Sequence, residues 1–143
     1  MPGLSEHFPF VVTQQLIWRD MDAYQHVNNA VYFRYFEDVR MALFDELGIV
    51  EHKNRTQIGP ILASTRCDFR APLTFPDRIQ VGTAIEDLRP KRFVMKYAVY
   101  SEAHAALAAE GEGLLVFYDY NLNRSCEIPD VIRERLLALG QRR

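Results

Sequence analysis

Cysteine is scarce in this chain: Cys67 and Cys126 are the only two, with no CxxC pair and no Cys/His cluster. That excludes a disulfide framework, fits a reducing compartment and leads us to expect no metal site. Long apolar runs are missing too. No stretch approaches the roughly 20 residues of a membrane span, and the opening "MPGLSEHFPF" lacks the basic start and apolar core of a signal peptide, so the expectation is a cytoplasmic protein with no membrane partner. Nor is there an excess of one charge. A formal net charge of −2 argues against a nucleic-acid partner bound through a generally basic surface, while leaving room for a local basic patch that holds a phosphorylated ligand. Linkers, repeats and low-complexity tracts are absent, with the seven Gly and seven Pro falling singly between periodic runs. We therefore expect one domain over residues 1–143.

What remains is the composition of an ordinary globular protein, 48% hydrophobic and 25% charged over 143 residues. A chain of this length buries roughly 70% of its unfolded surface, enough for a core without metal or disulfide. Residues Val11 to Arg19 are apolar and β-branched and read as a first strand. From Ala30 to Leu47, residues Tyr32, Tyr35, Phe36, Val39, Leu43 and Leu47 recur at three- and four-residue spacings, and Gly48 supplies a C-terminal stop. Phe33, Ala42 and Phe44 widen that stripe, which predicts a helix buried on most sides, with Arg34, Glu37, Asp38, Met41 and Asp45 as its less apolar strip.

The stretch "EHKNRTQIGP" reads as a polar connection, and four strand candidates follow it. Ile61, Ala63, Thr65, Cys67 and Phe69 form one inward face, Ile79, Val81, Thr83 and Ile85 a second, Phe93, Met95, Tyr97 and Val99 a third, and Gly113 to Tyr120 the fourth strand. "SEAHAALAAEGEG" reads as a hairpin rather than a helix. Pro129 and Asp130 open a terminal helix with apolar Val131, Ile132, Leu136 and Leu139. So few intervening helices exclude a doubly wound parallel sheet; the pattern is α+β, a curled antiparallel sheet wrapped around one central helix.

The chemistry-bearing residues crowd into "RDMDAYQHVNN", just before that helix. A helix N-terminus offers unpaired N–H groups and partial positive charge. If the turn brings the Asp22 carboxylate beside it, the Asn29 N–H can polarise a carbonyl for attack from the carboxylate side, which is an acyl-transfer arrangement. The alternative is structural: Asp, Asn and His favour turns, and Asn28 or Asn29 would simply cap the helix. His26 can shape the loop, titrate or contact a substrate. Tyr32 reads as a core aromatic with a satisfied hydroxyl, and Glu37 needs a partner if buried. In "DLRPKRF", Arg89, Lys91 and Arg92 form either a solvated basic turn or a phosphate-binding group.

With "RDMD", "HVNN" and "YFRYFEDVR" in this order and spacing, then "FRAPLTFPDRIQV", the sequence resembles the hotdog-fold thioesterases of the 4-hydroxybenzoyl-CoA thioesterase family, from about Val11 to Leu139. The resemblance implies a hotdog fold that self-associates as a homodimer or homotetramer, with sites between subunits. It also implies acyl-CoA thioesterase activity without a metal or separate cofactor, coenzyme A being part of the substrate. By the family pattern Asp22 is the catalytic carboxylate, as nucleophile or general base, and the Asn29 N–H is the oxyanion donor. His26, Asn28 and Tyr32 surround them, while Arg89 and Lys91, with Arg92 beside them, face the coenzyme A phosphates. An acyl-carrier-protein substrate and a non-catalytic acyl-CoA-binding module are the other readings. The chain departs from the pattern at Gln25, where relatives often carry Gly, and at Pro76, which replaces the Gly of a "GD" turn.

Overall fold

The structure is a computed structural model that describes residues 3–140. Five strands form one antiparallel sheet: β1 (Phe10–Gln15), β2 (Ile58–Phe69), β3 (Arg78–Glu86), β4 (Arg92–Ser101) and β5 (Ala106–Asp119), in the order β1-β3-β4-β5-β2. A two-residue β6 (Arg124–Ser125) extends the β5 end. Three helices accompany them: α1 (Asn29–Glu46), α2 (Ile49–Thr56) and α3 (Asp130–Leu139).

The ends of α1 follow from its flanking residues. Asn28 accepts the Ala30 N–H on its side-chain oxygen at 3.0 Å, an N-cap, and Gly48 takes the left-handed φ of 74° that closes the last turn. Arg135 of α3 then donates to the Leu47 carbonyl at 2.7 Å, so the negative end of α1 meets a guanidinium. Between these ends Tyr32, Tyr35, Phe36, Val39, Leu43 and Phe44 are buried against the sheet. Phe36 stacks on Tyr97 of β4 at 4.6 Å between ring centres. Such close approach needs a bare strand: a Cβ on Gly111 would lie 2.5 Å from both the Arg66 carbonyl oxygen and the Phe36 ring.

The inward faces of the central strands are those expected, with Ile79, Val81, Thr83, Phe93, Met95, Tyr97 and Val99 all buried. Other expectations need correction. The first strand stops at Gln15, because Trp18–Asp20 turn into a short 3-10 segment. The supposed polar connection is α2, eight residues long; only Ile49 and His52 are buried, so its polar residues face outward and leave too few apolar positions for a readable stripe. The helix α1 also exposes Phe33, which was expected to widen its buried face, whereas Met41 is exposed on the strip expected to be less apolar; Val131 of α3 lies 43% exposed while Ile132, Leu136 and Leu139 carry that helix's packing. The expected inward face of β2 is largely uncovered: as the sheet's outer strand it leaves Ala63, Thr65 and Phe69 exposed and Ile61 and Cys67 half-buried. On the convex side, Leu4 and Phe8 pack over Ala98 and Tyr100, so both faces of β4 are covered there.

Candidate active site

The segment from Asp20 to Asn29 is held mainly by its own backbone. Met21 and Val27 form a bridge; the Asp22 N–H donates to the His26 carbonyl at 2.7 Å, and the Gln25 N–H donates to the Asp22 carbonyl at 2.9 Å. Asn28 N–H closes the base of the segment on the Asp20 carbonyl at 3.0 Å, and Val27 N–H ties it to the rest of the fold through the Leu73 carbonyl at 2.9 Å. Gln25 closes the turn with φ of 63°, the left-handed region that glycine takes without steric penalty. The turn expected of a Gly therefore forms with Gln in its position. Arg34, one turn into α1, grips the Asp20 carboxylate through both guanidinium Nη atoms and fixes the loop to the helix.

Inside this frame the two oxygens of Asp22 differ. Oδ1 accepts the N–H groups of Tyr24 at 2.8 Å and His26 at 3.2 Å, whereas Oδ2 has no partner among the described residues. The α1 amides divide similarly. Ala30 N–H is capped by Asn28, Val31 N–H donates to the Asn28 carbonyl, and Asn29 N–H has no acceptor among the described residues. Asn28 is thus the cap, and the neighbouring amide is left with unspent positive charge.

Asp22, His26, Asn29 and Tyr32 line one open groove of about 290 Å³ whose opposite wall is Phe69, Arg70, Ala71 and Pro72. Phe69 meets Tyr32 edge to face at 5.0 Å. Burial, with a smaller contribution from Cys67, pushes the Tyr32 hydroxyl up to about 12. It is a neutral wall. On the other side of Asp22 a groove of about 400 Å³ runs along Trp18, Arg19, Met21, Gln25, Thr74 and Phe75. A carboxylate with one free oxygen and a free helix-start amide on one groove can deliver attack and oxyanion stabilisation to a single carbonyl.

Not every residue expected at the site is brought there. The side chain of Asn28 is used by the cap, and neither groove is lined by it. Glu37 is exposed, eight residues or about 12 Å further along α1. Arg89 and Lys91 are exposed in the β3–β4 connection and Arg92 is exposed as the first residue of β4; Arg89 bonds to Asp87 at 3.0 Å. The groove lies near the start of β3, so the length of that strand, about 26 Å, separates this cluster from Asp22 in one protomer. Conversely, the Phe69–Pro72 wall and the Arg34 clamp were not anticipated. Phe69 and Arg70 lie some forty positions from Tyr32 and carry no local signal, while the Arg34–Asp20 pair had one, a charge of each sign flanking the loop. Among the described residues, no three His, Cys, Asp or Glu side chains are grouped for a metal ion, and no helix is long and apolar enough to cross a membrane.

Comparison with known proteins agrees with this architecture. The thioesterase-like superfamily model matches residues 16–136. The long-chain acyl-CoA thioesterase FadM of Escherichia coli is 21% identical over 116 residues, covering 81% of this chain and 88% of its own. A Thermus thermophilus thioesterase, solved in complex with coenzyme A and Zn, superposes with a TM-score of 0.84 at 30% identity, covering 96% of this chain and 98% of its own. The 1,4-dihydroxy-2-naphthoyl-CoA thioesterase of Synechocystis shares the fold at a TM-score of 0.82 and 17% identity, over 92% of this chain and 98% of its own. The chain belongs to the thioesterase-like superfamily of hotdog-fold thioester hydrolases.

Proposed function

We propose that the protein hydrolyses acyl-CoA thioesters to a free carboxylic acid and coenzyme A at the Asp22 groove. The observation that carries this reading is the free Asp22 oxygen and the unpaired Asn29 N–H on one groove wall. The thioester carbonyl oxygen accepts from Asn29 N–H, and the developing negative charge sits at the positive end of α1. Two routes use the same Asp22 oxygen: it takes a proton from water as the water adds to the carbonyl, or it adds to the carbonyl itself to give an anhydride that water then opens. In either route the C–S bond breaks with its electron pair on sulfur. A thiol has a pKa of roughly 8.5, so this leaving group departs without a strong general acid. No cofactor enters the reading, coenzyme A being part of the substrate, and His26 and Tyr32 shape the groove around the acyl group.

The basic cluster enters this reading through self-association. Phe117 N–H donates to the Lys91 carbonyl, so the cluster lies by the Ile58 end of β2, whereas the groove lies by the Phe69 end. If a second copy pairs antiparallel along the open β2 edge, as a homodimer or within a homotetramer, its Arg89, Lys91 and Arg92 approach the first copy's groove and can meet the phosphates of coenzyme A. An acyl-carrier-protein substrate shares the phosphopantetheine arm but lacks those adenosine phosphates. Neutralising Arg89 and Lys91 raises KM for CoA substrates while leaving carrier substrates nearly unchanged.

The test is a panel of short, medium, long and aromatic acyl-CoAs with a free-thiol readout, run beside Asp22→Asn. The amide oxygen of Asn keeps the two loop bonds, so the fold stays intact while the base or nucleophile is lost, and kcat falls by roughly 100-fold or more. Full activity in the variant sinks the assignment of Asp22. Tight acyl-CoA binding with no thiol release across the panel supports the binding-module reading instead.

A further inference from the structure

A further cavity, of about 380 Å³, opens at the other end of α1, between that helix, α2 and the start of β2. Its walls include Phe44, Ile49, Val50, Leu62 and Leu115, and its polar side chains include two cations, Arg40 and Lys53, but no Asp or Glu. Arg40 stands 11 residues, about 16 Å, along the helix from Asn29. It is unusual for a charged group: only 8% exposed, it donates from Nη1 to the Tyr97 hydroxyl at 3.0 Å and makes no salt bridge among the described residues. A guanidinium has five N–H donors, and a buried charge without a counterion is destabilising. Lys53 stands over the Tyr120 ring, with Nζ 5.0 Å from its centre, and adds positive potential.

We propose that this cavity binds an anionic amphiphile, an aliphatic carboxylate whose head group pairs with the Arg40 guanidinium while its chain lies against Phe44, Val50 and Leu62. The charge balance of the cavity selects the head group: two cations and no protein anion complement a carboxylate, whereas an alcohol leaves the guanidinium unpaired and an amine is repelled. The apolar walls select the tail. The volume falls within the range typical of small-ligand pockets. Within one protomer this site is separate from Asp22, and in the antiparallel β2 pairing proposed above its Leu62 rim lies toward the second copy's groove; the proposal itself does not require that the chain hydrolyse anything.

Titration calorimetry of the full-length Asp22→Asn protein with decanoate, decanol and decylamine tests it, independently of turnover. Decanoate is expected to bind at least 10-fold tighter than decanol, with decylamine weakest, as a charge-assisted hydrogen bond implies. Adding Arg40→Gln lowers decanoate affinity by roughly 10- to 100-fold and brings it to that of decanol. Should loss of the Tyr97 bond unfold that variant, Leu62→Trp at the partly exposed rim fills the cavity instead and abolishes decanoate binding, with the melting transition as the folding control. Equal affinity for the three ligands overturns the proposal. So does decanoate binding that survives Leu62→Trp, or a crystal structure in which a carboxylate from a second copy of the chain pairs with Arg40.

Discussion

Gln25 offers the sharpest test of how the loop is built. A non-glycine residue in the left-handed region is less stable by about 1–2 kcal/mol, and Gln25 carries this penalty at φ of 63°. Gln25→Gly removes it but adds about 0.5–1 kcal/mol of unfolded-state entropy, leaving a net gain of about 0.8 kcal/mol, within a range of about 0–1.5 kcal/mol. In a domain of this size that is a rise in Tm of about 2 °C. Gln25→Val moves in the opposite direction, because a β-branched residue at positive φ is a steric outlier, and should lower Tm by several degrees. Turnover separates the two variants as well. The bonds that orient Asp22 come from the N–H groups of Tyr24 and His26 and from its own N–H to His26, none of which uses the Gln25 side chain. Gln25→Gly therefore keeps kcat close to that of the parent, while Gln25→Val lowers it along with stability. Chemical denaturation, thermal melts and thiol release on one acyl-CoA measure all of this. A Gln25→Gly protein less stable than its parent by more than about 1 kcal/mol refutes the strain argument, as does a Gln25→Val protein of unchanged stability.

Two further outcomes follow from the packing. Gly111→Ala forces a methyl group to within 2.5 Å of the Arg66 carbonyl oxygen and the Phe36 ring, so α1 or β2 must shift; we expect a loss of about 1–3 kcal/mol by urea denaturation, and a neutral variant contradicts the close approach. Burial, with a contribution from Asp68, pushes the Cys67 thiol up to about 11 from an ordinary 9.0. Only the thiolate alkylates, so at pH 8 Cys67 in the native protein should react with iodoacetamide about 100-fold more slowly than in the denatured chain, accelerating as pH rises toward 11. Mass spectrometry of Cys67-containing peptides reads this directly, and equal rates in native and denatured protein refute it.

The elements most legible in the sequence were those whose chemistry is local. Helix α1 could be read to within a residue at each end because Asn28 and Gly48 are explicit boundary residues and its stripe is aromatic and dense. Strands β3 and β4 declared their inward faces by alternation, although Ala98 and Tyr100 are also buried, under Leu4 and Phe8, which no periodicity in β4 indicates. Helix α2 was missed because Gln57, which ends it in a left-handed conformation, is not a residue type that signals a stop. In the site region, the Asx-type turn at Asp22 and the cap at Asn28 were readable from residue type. The far wall of the groove was not, because Phe69 reaches Tyr32 only through the sheet's order and register. Arg40 was hidden for a similar reason: within an aromatic stripe it looks like one more solvated charge, and only the fold turns it inward onto Tyr97.

The loop that carries Asp22 is fastened by main-chain hydrogen bonds at Met21, Asp22, Gln25, Val27 and Asn28, with few side chains in its scaffold. Its tolerance to mutation should therefore be lopsided. An exchange at His26 alters what the groove presents, and exchanges at Ala23 or Tyr24, which line neither groove, leave it as it is; none of the three moves the carboxylate relative to the helix start. Inserting or deleting one residue between Asp22 and Asn29 would slide every one of those bonds out of register at once. Diversification of this protein, by selection or by design, is thus open to changes of letter in this segment and closed to changes of its length.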